Sequence, residues 1–318
     1  MQRRKLGHSG LETAPIVFGG NVIGWTADEA TSFALLDAFV ASGFNCIDTA
    51  DVYSRWAPGH VGGESETIIG KWLKRRGKRD DVVIATKVGS DMGDGKKGLK
   101  ADYIARAVED SLRRLQTDVI DLYQNHFDDE VTPVEETMEA FGKLVKAGKV
   151  RAIGASNISP ARLNASQAAA GKLSVPRYET LQPHYNLVER AGYEKDLEPL
   201  AVQQGLGVIP YWSLASGFLT GKYRSEADLS KSPRGEGVKK YLSGTGRRVL
   251  AALDEVAGGL GATPAQVALA WLIARPSITA PIASATSVEQ WHDIAKAAEL
   301  KLSAEAVKQL DAASAPAG

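Results

Sequence analysis

The run Val82-Val83-Ile84-Ala85-Thr86-Lys87 is apolar for most of its length and ends in a lysine. The next such run is Val119-Ile120-Asp121-Leu122-Tyr123, and between the two lie Ile104, Val108, Leu112 and Leu115, spaced four, four and three residues apart. That spacing stacks them on one face of a helix. Run, amphipathic segment, run makes a strand–helix–strand unit, and strands joined through a helix lie parallel. The same unit repeats outward. Upstream stand Pro15–Gly19 and Phe44–Ile47; downstream stand Val150–Gly154, Tyr178–Leu181, Gly207–Tyr211 and Ile278–Ile282. Eight parallel strands predict an α/β fold closed into a (β/α)8 TIM barrel. An open doubly wound sheet satisfies the alternation equally well and stays open on pattern alone.

Local signals mark the helix starts. Thr132-Pro133-Val134-Glu135 reads as a capping box with proline in the first turn, Ser159-Pro160 as cap then proline, Thr263-Pro264-Ala265-Gln266 as both, and Ser287-Val288-Glu289-Gln290 as a further box. Two segments stand outside the repeat. The opening residues through Glu12, with Gly7 and Gly10 at turn positions, suggest an N-terminal hairpin over the barrel floor. Lys222–Gly246, polar and dotted with glycine, suggests a long loop on the catalytic face.

Composition sets bounds. With 44% apolar residues over 318 positions the chain has matter for a large core, and one barrel domain over 1–318 is the expectation. A formal net charge of zero provides no global field for nucleic acid or an anionic membrane. The lone Cys46 lies in an apolar run and reads as a small buried hydrophobe. The basic N-terminus lacks the apolar stretch of a signal peptide, and no run reaches the ~18 apolar residues of a membrane span. A cytoplasmic protein is expected.

In a barrel of this kind chemistry gathers where strands end. Asp48 closes the second run, in Ile47-Asp48-Thr49-Ala50-Asp51-Val52-Tyr53, and Tyr53 follows five residues on. Lys87 closes the third run, and His126 closes the fourth in Asp121-Leu122-Tyr123-Gln124-Asn125-His126. Each alone has an ordinary structural reading, as packing, a solvated lysine or a satisfied histidine. Four of them at successive strand ends is the informative observation. The five histidines show no ligand spacing, so no metal is expected.

The chain here resembles the aldo-keto reductases, through Asp48, Tyr53, Lys87 and His126 in order. Further likeness lies in Ser111-Leu112-Arg113-Arg114-Leu115, Gly148-Lys149-Val150-Arg151-Ala152-Ile153-Gly154-Ala155-Ser156-Asn157 and Leu181-Gln182-Pro183-His184-Tyr185-Asn186. The resemblance implies hydride transfer between a nicotinamide and an aldehyde or ketone, or the reverse oxidation of an alcohol, with Tyr53 as general acid or base. A free phenol, pKa about 10, is a weak acid at neutral pH. A neighbouring ammonium favours the phenolate, so Lys87, steadied by Asp48, is expected to lower that value. His126 would orient the carbonyl.

The cofactor implied is NADP, with NAD second. No Gly-x-Gly-x-x-Gly follows a strand, as suits a family that binds extended cofactor across the barrel rim. By resemblance Ser156, Asn157 and Gln182 hold the carboxamide, and Tyr211 stacks on the nicotinamide. The stretch Ser213-Leu214-Ala215-Ser216-Gly217-Phe218-Leu219-Thr220-Gly221-Lys222 is the pyrophosphate loop, with Ser213, Leu214, Gly217, Leu219 and Lys222 as contacts. At the adenosine end the register offers Ser284, Thr286, Ser287, Gln290 and Asp293. Thr286 stands where many relatives carry an arginine for the 2′-phosphate. Trp25, Trp56, Phe127 and Trp212 are candidates for an aromatic substrate wall, and the loop Ser54–Gly63 for setting substrate choice. A regulatory protein on the same barrel, like the β subunits of potassium channels, is the rival reading. An isomerase or aldolase using Lys87 as Schiff-base nucleophile is a third, disfavoured because Asp48 would keep the amine charged.

Overall fold

Eight short strands follow one another in chain order: Val17–Gly19 (β1), Cys46–Asp48 (β2), Val83–Val88 (β3), Ile120–Asn125 (β4), Val150–Ser156 (β5), Tyr178–Gln182 (β6), Gly207–Val208 (β7) and Ile282–Ala283 (β8). The computed structural model describes residues 1–315. All neighbouring pairs from β8 through β1 to β7 are parallel. Backbone bonds from Thr279 N to Val208 O (2.8 Å) and from Ile282 N to Pro210 O (2.9 Å) tie β8 back to β7. The expected (β/α)8 barrel is therefore the fold, and the open-sheet alternative falls.

Helices Glu29–Ala41 (α1), Glu64–Arg76 (α2), Ala101–Leu115 (α3), Val134–Lys146 (α4), Pro160–Leu173 (α5) and Leu197–Gln204 (α6) connect the strands up to β7; Gly244–Leu260 (α7) and Pro264–Ala274 (α8) precede β8, and Val288–Ala295 (α9) and Ala304–Ala313 (α10) follow it. In α3, Ile104, Val108, Leu112 and Leu115 are all buried, as their spacing requires. Among the described residues no single helix is long and apolar enough to cross a membrane.

The last two strands are shorter than the apolar runs predict. The run Gly207–Tyr211 makes a continuous ladder only as far as Val208, although Ile209 N and Tyr211 N still donate to Leu181 O and Pro183 O (3.0 Å each), and Ile278–Ile282 contributes its ladder from Ile282. Pro210 and Pro281 explain both limits, since a proline has no N–H to donate to a ladder. Two helix starts also differ. The Thr132 hydroxyl donates to Asp129 Oδ2 (2.7 Å) and does not cap α4. At α9, Ser287 accepts from Gln290 N, but the Gln290 side chain turns back to Thr286 N (2.9 Å), not to Ser287. The cap at Ser159 and the capping box at Thr263 form as expected.

Two apolar layers hold the barrel. The larger lies between strands and helices. Phe18, Phe39, Phe44 and Trp291 make one aromatic cluster within it, with ring centroids 4.9–5.9 Å apart. The smaller fills the barrel's lower interior with Val17, Cys46, Val83, Ala85, Leu122, Ala152, Ile209, Ala280 and Ile282. Its floor is Leu6, fully buried, carried by the antiparallel hairpin Arg4–Lys5 and Glu12–Thr13. The hairpin fits because residue 207 is glycine. A Cβ there would lie 2.6 Å from Gly7 N.

Leu6→Ala should therefore open a void at the barrel floor and cost about 3 kcal/mol of stability. Urea denaturation checks this; a loss near zero would mean that the hairpin lies on the barrel without sealing it.

Candidate active site

Alternation along the strands sorts apolar from polar. Cys46 and Asp48 share a face of β2, Ala85 and Lys87 a face of β3, Leu122, Gln124 and then His126 a face of β4. The first of each set belongs to the apolar lower interior, so the later ones rise above it inside the barrel. Register places them level. Asp48 pairs with Ala85, Lys87 with Gln124, Gln124 with Gly154, and Ser156 with Gln182. Four residues expected from sequence, Asp48, Tyr53, Lys87 and His126, meet here.

Lys87 is wholly buried and its Nζ has three acceptors: Asp48 Oδ2 at 2.6 Å, Thr49 O at 2.8 Å and Tyr53 OH at 3.0 Å. One ammonium has three protons, and each finds a partner. The other carboxylate oxygen of Asp48 accepts from Gln182 Nε2 at 2.9 Å. Burial works against the charge on Lys87, but Asp48 and Tyr53 outweigh it and hold its pKa above the ordinary value.

Tyr53 corrects an expectation. Its phenol is pushed up to about 12, not down: burial is the largest cause, the Asp48 carboxylate adds to it, and Lys87 offsets only part. Lys87's charge is already matched by Asp48, so little remains to stabilise a phenolate.

His126 follows β4 directly, its N–H donating to Val88 O (2.8 Å). Its Nδ1 lies 2.8 Å from Ser90 Oγ. Burial, then the Lys87 charge, hold its pKa well below the usual histidine range, so the ring is neutral. Its ring is 5.8 Å from that of Tyr53, and Phe127 stacks on it at 5.0 Å. Ser90 and Gln124 escaped the sequence reading. Gln124 was detectable, sitting two residues before His126 on the same strand face. Ser90 follows a left-handed Gly89, and no pattern points to it.

The residues expected at the cofactor form a connected rim. Ser156 Oγ donates to Gln182 O (2.9 Å). Asn157 Nδ2 donates to His126 O (2.8 Å), and its Oδ1 accepts from Tyr211 OH (2.8 Å). Tyr211 stacks on His184 at 5.3 Å and Trp212 meets His184 edge-on at 5.0 Å. Asn157, Leu181, Pro183, His184 and Tyr211 line a cavity of about 190 Å³ beside this rim.

Beyond β7 the backbone is strained. Trp212, Ala215 and Ser216 all have positive φ (54°, 48° and 57°), followed by Gly217 at 93°. A left-handed residue other than glycine costs about 1–2 kcal/mol. Within the turn Ala215 N donates to Trp212 O (2.7 Å), and Gly217 N and Leu219 N both donate to Leu214 O (2.9 and 3.2 Å). A side chain at 217 would meet Lys222 Nζ at 3.3 Å, so the lysine folds back over this turn. The residues expected at the pyrophosphate, Ser213, Leu214, Gly217, Leu219 and Lys222, lie in or beside this turn.

The residues expected at the adenosine already have hydrogen-bond partners within the protein. Ser284 Oγ donates to Asn21 Oδ1 (2.7 Å). Thr286 N and Oγ1 both donate to Gln290 Oε1 (2.9 Å each). Asp293 accepts from Gln266 Nε2 (2.7 Å) and Thr263 Oγ1 (3.3 Å). On the substrate side Trp25 and Trp56 meet at 5.7 Å and Trp56 meets Tyr53 at 5.8 Å. Trp212 lies with His184, apart from that pair.

Lys222–Gly246 is folded. Glu226–Lys231 and Gly235–Tyr241 are 3₁₀ turns, Tyr223, Leu229, Val238 and Tyr241 are buried, and α7 already starts at Gly244.

A sequence profile described as the Aldo/keto reductase family matches residues 15–315. The chain is 39% identical to "Uncharacterized oxidoreductase YrpG" of Bacillus subtilis (strain 168), over 98% of this chain and 95% of that protein. It is 36% identical to "Aldo-keto reductase YhdN" of the same organism, covering 87% and 82%. It is also 32% identical to a "Probable voltage-gated potassium channel subunit beta" of Arabidopsis thaliana, covering 94% and 92%.

Replacing Asp48 with Asn leaves a buried ammonium without its counter-ion, a change that costs about 3–5 kcal/mol. Asp48→Asn should show that loss in urea denaturation; near-native stability would mean that Lys87 sits neutral in the folded protein.

Proposed function

The chain belongs to the aldo/keto reductase family, an NAD(P)H-dependent carbonyl oxidoreductase family, and we propose that it reduces an aldehyde or ketone, or oxidises the alcohol, with Tyr53 as the proton donor or acceptor. The observation that carries this is the buried chain of bonds from Asp48 through Lys87 to Tyr53.

Bound nicotinamide supplies or takes the hydride. The residues of this chain handle the proton and the geometry. With burial holding its pKa near 12, Tyr53 keeps its proton throughout the neutral range, so the acid needed for reduction is always loaded. As the proton leaves toward the carbonyl oxygen, the Lys87 N–H already directed at the phenol oxygen stabilises the phenolate that forms. Asp48, bonded to both Lys87 and Gln182, fixes the ammonium in that direction. His126 is neutral, and the tautomer that serves reduction has the Ser90 hydroxyl donating to Nδ1, which leaves the N–H on Nε2 as a donor to the same oxygen.

NADP is the cofactor we propose. Ser156, Asn157 and Gln182 would hold its carboxamide, Tyr211 would stack on its ring, the left-handed turn at 212–217 with Lys222 would hold the pyrophosphate, and Ser284, Thr286, Ser287, Gln290 and Asp293 would frame the adenosine. NAD stands second, because Thr286 brings no cation to the 2′-phosphate. Trp25, Trp56 and Phe127 would wall the substrate. The likeness to channel β subunits supports a second reading, a regulatory partner on this barrel. Turnover below the rate of a working enzyme on every carbonyl, with co-purification of a membrane protein, would favour it.

Tyr53→Phe should lower the reduction rate about a thousandfold, the scale of general acid catalysis, while the nicotinamide Kd stays within twofold. In the wild type, reduction should be flat from roughly pH 6 to 9. Alcohol oxidation should climb about tenfold per pH unit over that range, because it needs the phenolate that a raised pKa makes scarce. Unchanged turnover in the variant, or an inflection of both rates near pH 7, removes Tyr53 from this role.

Thr286→Arg should shift the NADPH/NADH ratio of kcat/KM toward NADPH by at least about tenfold, as a charge-assisted bond to phosphate implies. An unmoved ratio would place the 2′-phosphate elsewhere.

A further inference from the structure

Among the described residues four carboxyl side chains are buried: Asp48, Asp51, Glu66 and Asp121. Three of them hold a cation. Asp48 has Lys87, Asp121 has Arg79 and Arg151, and Glu66 has Arg114. Asp51 is in no ion pair, and neither of its carboxyl oxygens has a hydrogen-bond partner. It stands two residues before Tyr53 on the turn that leaves β2, and the chemistry of that turn makes no use of it.

The ionisable groups around Asp51 come from four elements. Glu66 stands on α2, Arg114 and Tyr103 on α3, Lys87 on β3 and Tyr123 on β4. Both cations are already spent. Arg114 Nε donates to Glu66 Oε2 (2.6 Å) and its Nη2 to Ser111 Oγ (3.3 Å), while Lys87 has all three protons engaged inside the barrel. The second oxygen of Glu66 is filled by the Thr86 hydroxyl (2.5 Å). Arg114 is also wedged in place, for a Cβ on Gly63 would lie 2.5 Å from its Cδ. Two carboxyls with one available cation carry one charge too many for a dry site. Burial, then the Glu66 charge, hold the Asp51 pKa well above the ordinary aspartate value; Arg114, the adjacent Val52 N–H and Lys87 offset only part. The buried Tyr123 hydroxyl is likewise without a partner.

The turn has few bonds of its own to resist a charge beneath it. Asp51 N donates to Lys87 O at 3.3 Å and Tyr53 N to Ala50 O at 3.2 Å, both long, and the chain is left-handed at Ser54 (φ 76°). We propose that Asp51 carries a proton in the folded protein and acts as a pH-sensitive lock on the turn that bears Tyr53. Neutral, its side chain lets the turn pack against α2 and α3. Ionised at alkaline pH, it draws water in and releases the turn with the adjoining Ser54–Gly63 loop. The lock does not depend on what Tyr53 does to a substrate. An acid whose folded pKa exceeds its unfolded one, about 4, stabilises the fold fully below the unfolded value. That contribution is lost as pH rises toward the folded value, and over this window the unfolding constant grows about tenfold per pH unit.

The experiment measures urea unfolding of wild type, Asp51→Asn and Glu66→Gln from pH 5 to 9. The wild-type unfolding constant, divided by that of Asp51→Asn, should rise about tenfold per pH unit from pH 5, and at least a hundredfold in all. In Glu66→Gln the freed Arg114 pairs with Asp51, so the same ratio should stay flat. Infrared difference spectra of wild type against Asp51→Asn at pH 7 should contain a carboxylic-acid C=O band. Trypsin reads the release through Arg55, which is exposed on the loop. At pH 9 cleavage there should be at least tenfold faster in wild type than in Asp51→Asn, with the gap narrowing as pH falls. A flat ratio in wild type, or a missing band, means that Asp51 is ionised and overturns the lock. Equal cleavage of the two proteins at pH 9 overturns it too, leaving Asp51 a packing residue. So does stability that follows Na⁺ or K⁺ at constant ionic strength while its pH dependence is unmoved by Asp51→Asn, which gives the site to a cation. Should Asp51→Asn not fold, spectra of wild type against Glu66→Gln decide: the acid band belongs to wild type alone, and its absence ends the proposal.

Discussion

One ammonium without access to water, shared among a carboxylate, a carbonyl and a phenol, governs this site. A buried charge is tolerated only when it is paired and its donors are filled. Lys87 meets both conditions, since Asp48, Thr49 and Tyr53 take its three protons. The same completeness limits what it can do for Tyr53. An ammonium already matched by a carboxylate 2.6 Å away adds little net field at the phenol oxygen, and desolvation wins. The phenol is thus a poor acid at rest. It is preorganised for the moment its proton moves, because the N–H that will face the phenolate is in place beforehand.

The barrel arranges that trio by strand alternation and ring closure. Small and apolar side chains fill the lower interior down to the hairpin's Leu6. The next inward position of β2, β3 and β4 is Asp48, Lys87 and Gln124, and β6 adds Gln182. Polar groups buried at that level have only each other as partners, which is why Asp48 reaches both Lys87 and Gln182. Above the level of the strands the polypeptide is held in costly conformations at Ser54, Asn157, Trp212, Ala215 and Ser216, all with positive φ. Gln116 and Ser174, by contrast, end helices, where left-handed backbone is commonplace. Strain gathered on one rim of a fold marks that rim as its working face.

Some of this was readable from the residue order. Alternation of apolar runs with helical spacing showed the eight strands, and Asp48, Tyr53, Lys87 and His126 could be named because each sits at a strand end. The limits of the last two strands were misplaced because apolar character runs on through Pro210 and Pro281, where the missing N–H interrupts the regular ladder and leaves only single bonds on either side. Ser90 and the burial of Asp51 were invisible for a different reason. Each matters through groups far along the chain, His126 for one and the Glu66–Arg114 pair for the other. The turns of Lys222–Gly246 were hidden too, since their buried residues are spaced irregularly and follow no helix or strand period.

Residue order alone thus set the class of fold, the face on which chemistry gathers and the four side chains that meet there, because those follow from periodicity and from strand ends. Folding in three dimensions settled the direction of the Tyr53 pKa, the neutral state of His126 and the unpartnered carboxyl of Asp51. These depend on how much water each group loses and which charges surround it, and neither quantity exists until distant segments are packed together.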